Sequence, residues 1–416
     1  MNFDEKESKD VSTVLIKDKD KDKVYKKNKK INQKDLEIII NDIIINYNIN
    51  NEDIMNLDIK ESLVEMIKLL YESVNCNNDL SELDNMIHKL LDYRIKVSPP
   101  SYTDNDLNKI NSLIDNLKKI PQPAQRTPEW YEFRENRLTA SDLATAIDKN
   151  PYSTRSKLIL NKCGIKEDWN PGPAIIHGVK YEDVAVMIYS LRNDVIVKEY
   201  GCIPHPNLKC FGASPDGIVD TDSENKNFIG RMLEIKCPTQ RPITGFVPKY
   251  YYYQVQGQLE VCDLDYCDFL ECKIVEYNSE DEYFLDGDFE YTNDNKEKGI
   301  LIELHDYSLE KSIYKYADYG ISYDDYLIWS NNIIESVLDD DNLEYIQTSF
   351  WRLEEYSCIL LNRNRELWSN IEPKILKFWD DVLHYREKGC DEINQPPKKK
   401  QRKIKKDTLL FLDDSD

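Results

Sequence analysis

Asp216, Glu234 and Lys236 have side-chain types and a spacing that could do chemistry. Asp216 lies in the turn Ser-Pro-Asp-Gly, and the other two residues lie in the run Met-Leu-Glu-Ile-Lys, whose alternation predicts a strand. The two-residue period places Glu234 and Lys236 on one face of that strand. Charged groups on an otherwise apolar strand are costly to bury, and a divalent metal with a reactive water would compensate them. Oxygen ligands of this kind suit Mg²⁺ or Mn²⁺, and the lysine would orient or help to deprotonate the water.

The same residues also have a purely structural interpretation. Glu234 and Lys236 would then form a solvated cross-strand ion pair, and the turn at Asp216 would only reverse the chain. Short strings of both kinds occur by chance, so the two alternatives stay open until the neighbouring elements are considered.

The composition sets limits on the class of protein. The chain has 416 residues, 40% of them hydrophobic, which is enough for two or three domains or for one large domain with extensions. A formal net charge of −22 argues against a nucleic-acid partner, although a local basic groove or a bound metal overrides such an average. We expect no membrane span and no secretory signal. The 10 cysteines include no Cys-x-x-Cys pair, which argues against a zinc ribbon and favours a reducing, intracellular compartment.

Charge and hydrophobic periodicity divide the chain into five predicted parts. Residues 1–33 are a mixed Lys/Asp run and are expected to be a disordered tail. Apolar residues recur at three- and four-residue spacing in 34–120, which predicts a helical accessory region. The α/β core is expected over 121–280. An acidic linker and helices that pack on the core are expected over 281–390, and a basic and acidic tail over 391–416.

The core sequence predicts the elements that would position the candidate residues. Thr127, followed by proline, predicts the start of a helix that contains Arg134. The next helix begins near Ser141, so Arg134 and Ser141 could meet at a phosphate, or could be a surface residue and a plain helix cap. Glu182 lies on an amphipathic helix that begins near His177 and, taken alone, is either a ligand or a surface residue.

The later segments continue this alternation of strands and helices. Gln254 falls within a predicted helix, on a stripe with four-residue spacing. The other predicted elements, in chain order, are strands at 195–200 and 210–213, the helix near 250–261, a strand at 266–277, an irregular acidic stretch at 280–319 and a helical stretch from about 340 to 385.

In this order, the motifs resemble those of the YqaJ-type exonucleases, relatives of phage lambda exonuclease within the PD-(D/E)xK nuclease fold. The resemblance covers roughly residues 126–277 and implies an α/β fold, a mixed central sheet flanked by helices. The helical N- and C-terminal extensions expected from the sequence pattern are departures from the family. It rests on five pieces: Arg134-x-x-x-x-Thr139-Ala140-Ser141, Gly178-x-x-Tyr181-Glu182, Ser214-Pro215-Asp216-Gly217, Glu234-Ile235-Lys236-Cys237-Pro238 and Gln254-Val255-Gln256.

The resemblance implies a role for each matching position. Lys236 would position or activate the water, and Gln254 would support the lysine and the reacting phosphate. The ligands of one or two Mg²⁺ or Mn²⁺ ions would be Glu182, Asp216, Glu234 and the carbonyl of Ile235. The residues that match a pocket for a terminal 5′-phosphate in lambda-type enzymes are Arg134, Ser141 and Ser214.

The resemblance also implies a function and partners. A member of this family from a large DNA virus would be a metal-dependent DNA exonuclease, acting 5′ to 3′ on double-stranded DNA in recombination, repair or defence. Its partners would be double-stranded DNA with ends or single-stranded DNA, further copies of the chain in a dimer or trimer, and a recombination protein. The basic segment 398–406 predicts a nuclear-import signal, a DNA tether or a solvated tail, so the host cytoplasm, a viral factory and the nucleus all remain open. The alternatives are an endonuclease of the same fold, an inactive DNA-binding protein and a structural helical scaffold.

Overall fold

The computed structural model describes two long stretches of the chain and part of its N-terminal region. The predicted tail at 1–33, and residues 395–416 of the predicted tail at 391–416, lie outside the described residues. The described residues are 36, 38–40, 43, 44, 57–74, 83, 86, 87, 91, 101–165 and 171–394.

The chain forms two compact units, one of residues 1–98 with 244–246 and one of residues 99–243 and 247–416. In the first unit, helix α1 (Leu57–Val74) confirms the helical periodicity expected there. Its buried residues recur at spacings of one, three and four positions, which places them on one face of an amphipathic helix. They are Leu63, Val64, Ile67 and Tyr71.

The second unit contains all the strands of the described chain. No helix of the described residues is long and apolar enough to cross a bilayer. In chain order its first elements are α2 (Asp104–Lys119), α3 (Pro128–Glu135), β1 (Leu138–Thr139), α4 (Leu143–Ala146), α5 (Arg155–Lys162), α6 (Pro173–Asn193), β2 (Val197–Lys198), β3 (Ile203–Pro204), β4 (Phe211–Ala213), β5 (Gly217–Val219) and β6 (Met232–Lys236). They are followed by α7 (Lys249–Cys262), β7 (Tyr266–Glu276), α8 (Glu280–Leu285), β8 (Lys298–Asp306), β9 (Lys311–Tyr316), α9 (Tyr323–Leu338), β10 (Leu343–Asn362) and α10 (Arg365–Lys388).

A seven-stranded sheet with the order β2-β5-β6-β7-β10-β8-β9 forms the centre of this unit, beside a three-stranded sheet β1-β4-β3. The large sheet is mixed, because β6 runs parallel to β7 while β5 and β10 are antiparallel to their neighbours. This topology confirms the predicted α/β class with a mixed sheet flanked by helices.

Strand β6 separates two hydrophobic cores, as its alternating sequence predicts. Leu233 and Ile235 pack in a cluster with the inner face of α6, including Val184. Met232 packs in the other cluster with residues of α7 such as Leu259. Glu234 and Lys236 have the same parity as Met232, so they belong to the face that α7 covers.

The region after residue 280 corrects the sequence prediction. The stretch 280–319, expected to be irregular, contains α8, β8 and β9. The helix expected from about 340 to 385 is wrong over its first half, where the 20-residue strand β10 pairs with both β7 and β8. Register shifts between Tyr345 and Gln347 and between Leu353 and Glu355 interrupt the strand. Each irregularity breaks the two-residue alternation by which a strand is recognised in sequence.

Candidate active site

Asp216 stands at the point where β5 begins, next to the centre of β6. Gly217 pairs with Leu233, and the Asp216 Oδ2 atom accepts a hydrogen bond of 2.7 Å from the backbone N–H of Ile235. Gly217 lies where β5 passes close to β2. A Cβ atom at this position would lie 2.4 Å from the Val197 side chain on β2, so a larger residue would displace that side chain. The turn therefore holds the Asp216 carboxylate against the Glu-Ile-Lys segment of β6.

Glu234 is fully buried and both of its carboxylate oxygens are occupied. Oε1 accepts hydrogen bonds from the Lys236 amine and from Gln254 Nε2, the latter at 2.7 Å. Oε2 accepts from Gln258 Nε2, also at 2.7 Å. Gln254 and Gln258 lie one turn apart on α7, so a single helix face supplies both amides. The sequence prediction included Gln254 and missed Gln258, although its four-residue spacing from Gln254 was visible.

Glu182 approaches from helix α6 and has a different partner. Its Oε2 atom accepts a hydrogen bond of 2.6 Å from Nη2 of Arg126, and the Glu182 side chain is 27% exposed. Arg126 was not predicted as a site residue. It lies directly before the cap of α3, and nothing in its local sequence indicates a contact with a helix more than fifty positions later.

The pKa shifts of Asp216, Glu182 and Lys236 reflect an excess of negative charge around these side chains. Burial, and then repulsion from Glu234, raise the pKa of Asp216 well above its ordinary value. Burial also raises the pKa of Glu182, although Arg126 and Lys236 oppose the shift. Burial lowers the pKa of Lys236, but the Glu234 and Asp216 carboxylates more than offset this, and the net shift is upward. The amine of Lys236 is therefore held protonated in this arrangement.

These side chains border one cavity of about 760 Å³ at the end of β6. Tyr251 and Arg241 also line it and were not predicted; the Lys236 amine lies 4.9 Å from the centre of the Tyr251 ring. Arg241 Nη1 pairs at 2.5 Å with Glu271, a buried residue of β7. The predicted site residues on the cavity wall are Glu182, Asp216, Ile235 and Lys236.

The donor chemistry at the cavity suits a hard divalent cation, but the ligands are not gathered around one point. Within the described residues, no group of three or more His, Cys, Asp or Glu side chains is arranged to hold a metal ion. Glu182 faces Arg126, and Glu234 is bonded to Lys236 and two glutamines. The shared site predicted for Glu182, Asp216 and Glu234 is not formed by these side-chain positions, and their role as ligands stays a prediction. The mutual repulsion that raises the pKa of Asp216 is what a bound cation would relieve.

The residues predicted to hold a terminal phosphate lie together around Trp130. Arg134 stacks over the Trp130 ring at 4.1 Å, and its Nη2 atom donates to Ser141 Oγ at 3.0 Å. The Trp130 indole N–H donates to Ser214 Oγ at 3.0 Å. Helix α3 has the predicted start, with Thr127 as its cap and proline in its first turn.

A buried lysine that the sequence did not reveal supports this second group. Lys162 on α5 is buried; its amine donates to the carbonyl oxygen of Arg134 at 2.8 Å and pairs with Asp142 at 3.2 Å. One hydrogen bond connects the two groups, since the carbonyl oxygen of Ser214 accepts a 3.2 Å hydrogen bond from Gln258. The residues predicted to hold a phosphate are thus linked directly to the helix that holds Glu234.

Comparison with known proteins places this region in a family. Residues 129–265 match the family described as YqaJ-like viral recombinase domain. An uncharacterized protein of Acanthamoeba polyphaga mimivirus is 35% identical over 320 residues, which cover 69% of this chain and 57% of the relative. A protein of African swine fever virus is 27% identical over 161 residues, 33% of this chain and 46% of the relative. The chain thus spans about half the length of these two relatives.

Solved structures with similar folds include two exonucleases. An alkaline exonuclease, LHK-Exo from Laribacter hongkongensis, is 21% identical with a TM-score of 0.37, and the match covers 63% of this chain and 95% of that one. A phage-related exonuclease from Haemophilus somnus is 11% identical with a TM-score of 0.32, over 60% of this chain and 95% of that one.

Proposed function

We propose that this chain, which carries a YqaJ-like viral recombinase domain over residues 129–265, is a divalent-metal-dependent deoxyribonuclease that hydrolyses phosphodiester bonds from the ends of DNA. The observation that carries the proposal is the convergence of one turn, one strand and one helix on a single cavity. Asp216 comes from the turn, Lys236 from β6 and Glu182 from α6. A carboxylate excess beside a lysine is the set that phosphodiester hydrolysis with Mg²⁺ or Mn²⁺ needs.

The metal would be held by the carboxylates of Glu182, Asp216 and Glu234 and by the carbonyl of Ile235. When bound, it would lower the pKa of a water molecule and neutralise the charge that develops on the phosphate.

The protein groups have separate tasks in this reaction. Gln254 and Gln258 fix the Glu234 carboxylate through hydrogen bonds of 2.7 Å each, so that its orientation does not depend on solvent. Lys236, held protonated by its carboxylate neighbours, orients the attacking water and the phosphate oxygen through its N–H groups. It becomes able to accept a proton only when another cation compensates those carboxylates, because they are what raises its pKa.

The group around Trp130 would bind the end of the substrate. We propose that Arg134, Ser141 and Ser214 hold a terminal 5′-phosphate and thereby set 5′ to 3′ degradation. An Arg side chain already oriented by stacking and by a serine hydroxyl is suited to bind phosphate with two parallel hydrogen bonds. Replacement Arg134→Gln should reduce the preference for 5′-phosphorylated over 5′-hydroxyl ends by about tenfold or more, measured by initial rates on the two substrates. Equal wild-type rates on both ends would contradict this part of the proposal.

One digestion experiment tests the activity and the end requirement together. Linear duplex DNA labelled at either the 5′ or the 3′ end and a covalently closed circle of the same sequence are incubated with Mg²⁺, Mn²⁺ or EDTA. We expect metal-dependent loss of the linear DNA, early release of the 5′ label and an intact circle. Nicking of the circle would indicate the endonuclease of the same fold, and absence of cleavage with either metal would contradict the nuclease proposal.

A further inference from the structure

Arg126 places a guanidinium group on one of the proposed metal ligands. Its Nη2 atom donates to Glu182 Oε2 at 2.6 Å. The Arg126 backbone has a φ of 62°, in the left-handed region, where a non-glycine residue is uncommon. The preceding side chain fixes this conformation, because Gln125 Nε2 donates to the carbonyl oxygens of Tyr200 at 2.9 Å and Pro215 at 3.1 Å. Since Pro215 directly precedes Asp216, the Arg126 backbone is anchored to the turn that carries a second proposed ligand.

The contact between Arg126 and Glu182 is partly exposed to water, unlike the contact that Lys236 makes with the buried Glu234. The Arg126 side chain is 42% exposed and that of Glu182 is 27% exposed, whereas Glu234 has no exposure at all. An ion pair in contact with water gains little free energy, since solvent screens its charges and both side chains lose rotamer freedom. The guanidinium can therefore leave Glu182 at small cost while its backbone stays in place.

We infer that Arg126 is an exchangeable counter-ion of Glu182, which a divalent metal displaces when it binds. The inference rests on the metal-dependent nuclease proposed above and adds a residue that lies outside the five sequence motifs and to which the family resemblance assigns no role. Without metal, Arg126 compensates a carboxylate that Asp216 and Glu234 would otherwise repel. Metal binding brings the positive charge that replaces it. The released guanidinium remains beside the cavity, because Gln125 and the start of α3 still hold its backbone.

Metal binding measured without DNA tests this exchange in the full chain. Isothermal titration with Mn²⁺ compares the wild type with Arg126→Gln and with the control Arg155→Gln. Arg155 is a matched control, because it forms an equally short pair of 2.5 Å with Asp381, is partly exposed and lies outside the cavity lining. We expect Arg126→Gln to bind Mn²⁺ about two- to fivefold more tightly, equivalent to roughly 0.4–1 kcal/mol, and Arg155→Gln to bind like the wild type.

A second measurement follows Arg126 directly in the wild type, so that the test does not depend on the variant folding. The side-chain Nε–H NMR signal of Arg126 should shift over the Mg²⁺ concentrations that fill the site, while the signal of Arg155 stays fixed. Unchanged or weaker Mn²⁺ binding by Arg126→Gln, or an Arg126 signal that ignores Mg²⁺, would overturn the exchange and leave the nuclease proposal standing. Absence of Mn²⁺ binding by the wild type would overturn both.

Discussion

Two clusters of buried charge lie at neighbouring strands of the same sheet, and they are balanced in opposite ways. At the first, the carboxylate of Asp268 on β7 accepts a 2.6 Å hydrogen bond from the Tyr189 hydroxyl and pairs with Arg231 at 3.1 Å. One negative charge thus meets one positive charge. Burial raises the pKa of Asp268 above its ordinary value, and its neighbours Arg231 and Tyr189 both oppose the shift.

At the candidate active site, two cationic side chains face three carboxylates. Arg126 pairs with Glu182 and Lys236 with Glu234, which leaves Asp216 without a cationic partner of its own. Burial raises the pKa of Asp216 as it does that of Asp268, but here two neighbouring carboxylates raise it further.

We interpret this difference as one between a structural cluster and the proposed functional site. Both clusters contain buried, hydrogen-bonded carboxylates, so neither burial nor a shifted pKa alone identifies a site. A balanced pair needs nothing from outside the protein, whereas an uncompensated carboxylate set is stable only at a cost that an added cation removes. Substitutions in each cluster test this difference in charge balance.

The largest expected effect is on cleavage. Replacement Asp216→Ala or Lys236→Ala should reduce the rate of DNA digestion by about 10²–10⁴-fold, because each removes a group at the reacting phosphate. DNA binding, measured by fluorescence anisotropy, should survive. The matched control is Lys273→Ala, which removes a lysine from β7 that pairs with Glu355 and does not line the cavity. Near wild-type digestion by either Asp216→Ala or Lys236→Ala would refute the assignment of the site.

Substitutions in the balanced cluster around Asp268 should change the stability of the protein rather than its rate of DNA cleavage. Replacement Arg231→Met leaves the Asp268 carboxylate buried without its partner and should lower the free energy of unfolding by about 3–5 kcal/mol, measured by urea denaturation. Arg126→Gln breaks a half-exposed pair and should cost at most about 1 kcal/mol. The double change Arg231→Met with Asp268→Leu should recover most of the loss. Equal costs for the two single arginine variants would remove the distinction between the clusters.

Metal binding should stabilise the folded protein only through the three carboxylates of the candidate active site, Glu182, Asp216 and Glu234. Saturation with Mg²⁺ or Mn²⁺ should raise the free energy of unfolding by about 1.4 kcal/mol at ten times the dissociation constant and about 2.7 kcal/mol at a hundred times. The measurement is the melting temperature with EDTA and with millimolar metal. Asp216→Ala should abolish the increase, and Lys273→Ala should retain it. A wild-type melting temperature that ignores both metals would contradict the proposed ligand set.

The part of the site on β6 and α7 could be predicted because local periodicity fixes it. The alternation of β6 puts Glu234 and Lys236 on one face. Helical spacing places Gln254 on α7, and the family resemblance implies its role. The Gln-x-Gln motif nevertheless has two unlike members. Gln254 binds Glu234, whereas Gln256 donates to the carbonyl oxygen of Asn362 and accepts from the N–H of Asn364, and so ties α7 to the segment that leads into α10. Each residue of a helix turns the side-chain direction by about 100°, so these two glutamines point about 200° apart.

The rest of the site depends on tertiary contacts that no local pattern encodes. Arg126 reaches Glu182 because Gln125 holds its backbone against a turn ninety positions later. Lys162 is a surface residue by type and is buried only because Asp142 and the Arg134 carbonyl receive its amine. Strand β10 was missed for a related reason, since its irregularities interrupt the alternation and the sheet alone restores the register.

The smallest expected effect concerns the pH dependence of the metal-free protein. A carboxyl whose folded-state pKa is raised contributes stability that is fully present below its unfolded pKa, about 3.9, and is lost as the pH rises through the folded-state value. The raised pKa of Asp216 has this sign, so the wild type in EDTA loses that contribution as the pH rises through the folded-state pKa of Asp216. Asp216→Asn should therefore be more stable than the wild type by about 1 kcal/mol near pH 8, and the gain should vanish as the pH falls towards about 4.

The order of stabilities should reverse when metal is added, because Mg²⁺ stabilises the wild type and not the amide variant. The counterpart in the balanced cluster should behave differently. The raised pKa of Asp268 alone would favour Asp268→Asn in the same way, but the change leaves the buried Arg231 guanidinium without its carboxylate. Because this cost outweighs the gain, the variant should be less stable than the wild type at neutral pH, with or without Mg²⁺. Urea denaturation of the three proteins at several pH values, with EDTA and with Mg²⁺, measures both responses. If Asp216→Asn and Asp268→Asn shifted stability in the same direction at neutral pH in EDTA, charge balance would not be what distinguishes the two clusters.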